Sequence, residues 1–377
     1  MISISQLLRP LRPLEARLSL ARSLGTRRSA FRWRADRTLK RRAPDRLRSF
    51  SRTMWEGAAR ELEAEFRELS PGLFRIRRSG VAVQFIGQRT PFADPVSTEL
   101  ASDKALAREL MAEAGVRVPE SGVFTPRALS AARTFLESAG EPCVVKPRRG
   151  AAGGGVTGSV TTADQLRQAL RRAGTVTHEV LVERQVAGDH YRILLLDGEV
   201  LDVLRREHPR VVGDGASTIE QLMSAEYERR LASEGLDGLK PLHVDLDCLF
   251  TLAASGHRLD TVPPAGAVVR VKTATNNSSS RECTTFTAPV SPDLLAHARA
   301  AAAAVGVRLA GVDVLTTDPS APLAESGGVV LEVNPTPGLW HHYNVAASAE
   351  ATRVAVPILE ALLARTPQPE AHADPVA

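Results

Sequence analysis

The sequence is poor in aromatic residues (4%), holds three cysteines, and has no apolar run near the length of a membrane span. Cys143, Cys248 and Cys283 lie far apart and match neither metal nor disulfide spacing, which fits a reducing cytoplasm. The N-terminus lacks an uninterrupted apolar core, so no secretory signal is expected there. Lysine is scarce as well. Lys40, Lys104, Lys146, Lys240 and Lys272 stand against 43 arginines. In a chain that supplies positive charge as arginine by default, a lysine marks a place that suits a compact ammonium, such as a phosphate contact.

Acid is short at the start of the chain. Residues 1–50 carry 13 arginines and one lysine against Glu15, Asp36 and Asp45, and the rest is mildly acidic. The formal charge of +5 therefore belongs to this arm. Residues 1–50 are expected to form a solvated, disordered arm, with nucleic acid or anionic lipid as the alternative partners. Residues 51–100 are expected to hold a helix and a hairpin, and residues 101–366 the main domain, with a small α+β unit over about 122–185. Residues 367–377 read as a disordered tail.

The pattern along the chain is mixed. Helical spacing runs from Trp55 to Glu68, and hairpins are expected to turn at Ser79-Gly80 and Asp197-Gly198. A helix is expected from Asp103 to a stop at Gly115. A β–α–β–loop–β–α–β unit follows, with "RRGAAGGG" at its tip. An inserted helix and loop run from "GDGASTIEQL" to Pro264, and the polar loop "NNSSSRECT" comes after it.

Two stretches carry chemistry. "CVVKPRRGAAGGGV" delivers Lys146 on a strand and then a glycine-rich loop, whose backbone N–H groups can approach phosphate oxygens. It is neither a Walker A loop nor a dinucleotide fingerprint. "GGVVLEVNP" ends an apolar strand with a Glu and an Asn two positions apart. Strand alternation puts Val330, Glu332 and Asn334 on one face. Asp313, in "GVDVLTTD", joins them if the two strands pair as a hairpin. Such an oxygen set suits Mg²⁺.

Lys104, "VVKP", a glycine loop, "VLVE", "GVDV" and "LEVNP", in this order, resemble the ATP-grasp enzymes. The finer resemblance, through "RREHPRVVGDGASTIEQL", is to the ATP-grasp domains of cyanophycin synthetases and bifunctional glutathione synthetases. It covers roughly residues 90–365. It implies an α+β fold in which two subdomains clamp ATP. Lys104 and Lys146 would contact the phosphates, and Gly153, Gly154 and Gly155 would close over them. Glu183, with Arg184 through Val186, would form the adenine hinge, and His190 would reach the ribose. Asp313, Glu332 and Asn334 would hold Mg²⁺, with two ions expected. Arg192 and Arg206 would lie near the phosphates and the reacting carboxylate. Lys272 and Arg281 bracket the acceptor loop, and one of His341 and His342 would face the same cleft.

The implied activity is ATP-dependent carboxylate–amine ligation through an acyl phosphate, joining amino acids or short peptides. Where those relatives have an Asn-x-Ser-x-Gly-Gly loop, this chain has Asn276-Asn277-Ser278-Ser279-Ser280-Arg281. The Mur-ligase half of a cyanophycin synthetase is not in the sequence, which favours a single ligation over polymerisation. The alternatives are phosphotransfer to a non-acyl acceptor and a nucleotide-binding protein acting through its basic arm. The oligomeric state is open, with a homodimer as one possibility.

Overall fold

The computed structural model describes residues 26–150, 153–233, 236–239 and 241–364, with side chains of the first helix described from residue 43 onward. That helix, α1 (Thr26–Glu61), overturns the disordered arm for residues 26–50. Arginine, alanine and leucine are good helix formers, and Phe50, Met54, Trp55 and Ala58 recur at helical spacing to face a core. Residues 1–25 and 367–377 lie outside the described residues. The helix also stops short of Glu68. The chain turns at Glu63, which has positive φ, and enters β1 (Glu65–Ser70). β1, β2 (Leu73–Arg78) and β3 (Val81–Ile86) form a three-stranded antiparallel sheet rather than a lone hairpin. Ser79 and Gly80, both at positive φ, make the tight turn between its last two strands.

Two helices follow, each started by an aspartate that accepts backbone N–H groups. Asp94 caps α2 (Pro95–Ser102) and Asp103 caps α3 (Lys104–Glu113). The β–α–β–loop–β–α–β unit, called the lid below, has the expected order of elements: β4 (Ser121–Phe124), α4 (Leu129–Ala139), β5 (Cys143–Pro147), β6 (Thr157–Val160), α5 (Ala163–Gly174) and β7 (Val180–Arg184). Its strands lie in the order β4-β7-β5-β6, and Leu166 and Leu170 of α5 pack on Val145 and Val182.

Next are β8 (Asp189–Leu196), β9 (Glu199–Arg206) and β10 (Arg210–Val212), then the insert with α6 (Ile219–Ala232) and α7 (Leu246–Ala254). The chain finishes with β11 (Val268–Arg270), β12 (Cys283–Thr285), α8 (Pro292–Ala304), β13 (Leu309–Thr316), α9 (Leu323–Ser326), β14 (Val329–Asn334) and α10 (Ala355–Leu363). The central sheet is antiparallel in the order β12-β9-β8-β13-β14. One face packs Ile193, Leu195, Val312 and Val314 against α3 and α8. At one end of the other face, Leu194, Leu196 and Leu309 meet α1, the three-stranded sheet and α10. The rest of that second face is left open toward the lid.

Candidate functional site

Sheet register assembles the site. Asp313 pairs with Arg192 on one side and Glu332 on the other, so these three side chains form one cross-strand row. His190 pairs with Arg206 in the row beside it, and Asn334 lies opposite Gly311 on the far side. The alternation expected for β14 fails in one place. Asp313 pairs with Glu332 but Val314 pairs with Val330, so Leu331 is an extra residue in a β-bulge. Val330 therefore faces the core, fully buried, while Glu332 and Asn334 face the cleft. The bulge lets a strand with an apolar core face deliver a carboxylate to the opposite side.

These rows floor a cleft of about 820 Å³ beneath the lid. Lys104, Lys146, Gly153, Gly154, Glu183, Arg184, Val186, His190, Arg192, Arg206, Asp313, Glu332 and Asn334 all line it. Gly155 does not; with φ +83° it turns the chain beside Pro147 and Val176. Gly153 (φ +67°) touches the Asn276 side chain where any Cβ would collide, so the glycine loop lies directly on the polar loop. Lys104 Nζ donates to the Gly150 carbonyl at 2.7 Å and holds the start of the glycine loop.

Two of the expected residues are not brought to the cleft. Lys272 is buried, 2.5 Å from Asp245, and serves the insert rather than a substrate. Arg281 is exposed on a 3₁₀ turn outside the cleft lining. Of the two histidines, His341 lines the cleft and stacks on Trp340 at 3.9 Å. His342 is fully buried, its Nδ1 2.5 Å from Asp202.

The charges are matched unevenly. Arg192 holds Asp313 through both its Nε and Nη2, and His190 Nε2 lies 3.0 Å from the same carboxylate. Burial would raise the Asp313 carboxyl, but Arg192 and His190 outweigh it and hold it well below the usual carboxylate range. The other nitrogen of His190 meets Thr275 Oγ1, so both ring nitrogens face protein rather than a ribose-sized space. Burial keeps this imidazole below its ordinary value despite Asp313. His208, also lining the cleft, is pushed down to about 4 by burial and by Arg270. Arg206 differs from Arg192. It is 5% exposed, donates to the Thr275 carbonyl at 3.1 Å, leaves Nε without an acceptor, and has no carboxylate partner among the described residues. Glu332 is its counterpart, a half-buried carboxylate that makes no hydrogen bond or close ion pair among the described residues and meets Lys146 and Arg192 only at longer range.

Among the described residues no three His, Cys, Asp or Glu side chains cluster as a metal group. The set at issue is instead two carboxylates and an amide. Asn334 Nδ2 donates to the Gly311 carbonyl at 3.1 Å and sits 3.3 Å from Asp313 Oδ2. A Glu332 carboxylate without a close ion pair, beside Asp313 and Asn334, fits a hard, oxygen-seeking dication.

Two contributors carry no motif. Asp247, 1% exposed on α7, accepts the Gly158 N–H of the lid at 2.8 Å and the Thr273 and Ala274 N–H groups at 3.1 Å. It ties lid, insert and polar loop together. Arg108 on α3 reaches Glu183 beneath the lid. An acidic residue in the first turn of a helix is too common to signal the first. Helical spacing placed the second, one turn after Lys104, on α3 without indicating which way it points.

A family model described as phosphoribosylglycinamide synthetase, ATP-grasp (A) domain, matches residues 102–221. The cyanophycin synthetase of Geminocystis herdmanii is 33% identical over 271 residues, 71% of this chain and 31% of the relative. The glutathione biosynthesis bifunctional protein of Listeria innocua is 26% identical over 297 residues, 77% of this chain and 38% of the relative. The chain thus spans about a third of the length of these curated relatives. The crystal structure of a bifunctional glutathione synthetase from Pasteurella multocida shares the fold, with a TM-score of 0.52 at 21% identity, over 82% of this chain and 44% of that one. No helix among the described residues is long and apolar enough to cross a membrane. Residues 102–221 thus match an ATP-grasp domain, and the chain shares the fold of that glutathione synthetase.

Proposed function

We propose that this chain is an ADP-forming carboxylate–amine ligase that joins amino acids or short peptides in the cytoplasm. The observation that carries this reading is the unequal charge of the cleft floor. A buried Arg206, with no carboxylate in contact, lies in the row beside the closed Arg192–Asp313 pair, and Glu332, likewise without a close ion pair, lies on the other side of Asp313. A buried guanidinium without a carboxylate is costly unless an anion arrives. A substrate carboxylate is such an anion, and Arg206 offers it a planar donor.

ATP would lie between lid and floor, with Lys104 and Lys146 at its phosphates and the hinge after β7 at its base. Asp313, Glu332 and Asn334 would hold Mg²⁺, two ions fitting the family chemistry, and the metal supplies charge neutralisation at the triphosphate. The substrate carboxylate oxygen attacks the γ-phosphorus, and the bond to the β-phosphate oxygen breaks, giving an acyl phosphate and ADP. An amine then attacks the acyl carbon, loses its proton, and displaces inorganic phosphate as the amide forms. Arg206 and Lys146 position charge rather than exchange protons, and the lid excludes water from the acyl phosphate. The relatives named cyanophycin synthetase and glutathione biosynthesis protein support amino-acid or peptide substrates here.

The test is ADP release with Mg-ATP across pairs of amino acids and dipeptides, with products read by mass spectrometry. Release that depends on a pair, with an amide of matching mass, is expected. ADP formed on an alcohol or phosphate acceptor would replace ligation by phosphotransfer.

A further inference from the structure

Arg108 lies one turn after Lys104 on α3, and its guanidinium is 4% exposed. Its partner is Glu183 Oε2; Nε and Nη1 meet no acceptor among the described residues. Lys146, 6% exposed, brings Nζ to 2.9 Å from the same oxygen. Two buried cations thus share one contacting carboxylate, and Glu332 acts on Lys146 only from beyond ion-pair distance, so the contacting groups carry one excess positive charge. Such a triad is expensive, because a buried guanidinium with idle N–H groups gains less than an apolar side chain of its size would. Packing does not account for it.

The excess makes sense for a lysine that has two partners in turn. Resting on the nucleotide site proposed above, Lys146 must leave Glu183 when it turns to a phosphate. Without Arg108 that move would strand the Glu183 carboxylate, buried and unpaired, at the hinge. We propose that Arg108 is a positioning residue that keeps Glu183 neutralised and in place, so that Lys146 is free to move to the phosphates. Arg108 does not line the cleft and touches no substrate. Its effect reaches ATP only through Glu183 and Lys146.

The distinguishing readout is the preference for ATP over adenosine, measured by calorimetry on the full chain without organic substrates. Arg108→Met should weaken ATP about ten-fold or more while leaving adenosine within about two-fold, since only the phosphate contact needs the released lysine. Arg108→Lys should restore most of the ATP affinity. In a Lys146→Met background, Arg108→Met should cost no further ATP affinity, because there is no lysine left to release. Equal losses for ATP and adenosine, or losses that add in the double variant, would overturn the proposal. Should Arg108→Met not fold, Arg108→Gln keeps a neutral donor beside Glu183. It should weaken ATP about five-fold or more with adenosine within about two-fold, and an unchanged ATP preference counts against the proposal. Failure to form any amide leaves these binding results decisive, whereas wild-type protein that binds no ATP would refute the nucleotide site and this role with it.

Discussion

Asp103 is the joint on which the front of the cleft depends, and its removal gives a graded expectation. The residue is 3% exposed at the start of α3. One oxygen accepts the Ala105 and Leu106 N–H groups at 3.2 Å and the Arg148 Nε at 2.7 Å; the other meets Arg149 Nη2 at 3.0 Å. Burial would raise this carboxyl, but the Arg148 hydrogen bond and the cap pull it below the ordinary value. In Asp103→Ala the lost cap costs about 1 kcal/mol. The charge-assisted bond to Arg148 adds about 1.5–3 kcal/mol. Arg149, with a 44% exposed side chain, adds little because solvent screens it. The total is about 3 kcal/mol, read as a fall in urea midpoint at constant slope. Asp103→Asn keeps the capping oxygen and should cost about half as much. Because Lys104 is the next residue and Arg148 follows β5, both substitutions should also raise the KM for ATP. An unchanged midpoint and an unchanged KM in Asp103→Ala would refute the joint.

Four further outcomes follow from the same geometry. Lys146→Ala should lower turnover on the order of ten-fold or more through loss of a charge-assisted phosphate contact, checked by steady-state ADP release. Trp55→Ala should cost about 3–5 kcal/mol, since Trp55 is fully buried, donates to the Gly87 carbonyl and packs at a tilt against Phe85; deletion of residues 1–50 should also destabilise, because it severs α1 and removes the Phe50–Tyr343 contact, and an unchanged melting temperature would contradict both. Stability should be full above about pH 6.5 and fall toward pH 4, because the unfolded chain protonates histidines that the fold keeps neutral. His208 at about 4, with His190 and His342 shifted the same way, each contribute up to about 1.4 kcal/mol per pH unit, so equal urea midpoints at pH 7.5 and 5.5 would refute their burial as neutral rings.

The motifs of the cleft were legible because they depend on residue type and strand period alone. Lys146 and the glycines could be read from their residue types, and Asp313, Glu332 and Asn334 from alternation and an expected hairpin, whose register pairs Asp313 with Glu332. Alternation could not show the bulge at Leu331, since an extra residue leaves no mark in a short apolar run. It set Val330 on the wrong face. The arm misled because arginine content reads as solvation, while helix propensity and the apolar stripe at Phe50, Met54 and Ala58 decide its structure. Lys272 and Arg281 were placed by nearness in sequence to the polar loop. Their ends are fixed instead by Asp245 on the insert and by solvent. Arg108 was invisible for a related reason: its partner Glu183 lies far along the chain, and long-range pairing of charges has no local signature.

The central claim is that a carboxylate is activated by phosphorylation on the floor formed by Arg206, Asp313, Glu332 and Asn334. The most direct measurement uses a carboxylate substrate labelled with oxygen-18, drawn from the pairs that release ADP, and follows the label by mass spectrometry. The account predicts one labelled oxygen in the inorganic phosphate for each amide formed, and loss of this transfer in Glu332→Gln with an intact fold. Phosphate free of label while amide still forms would contradict it.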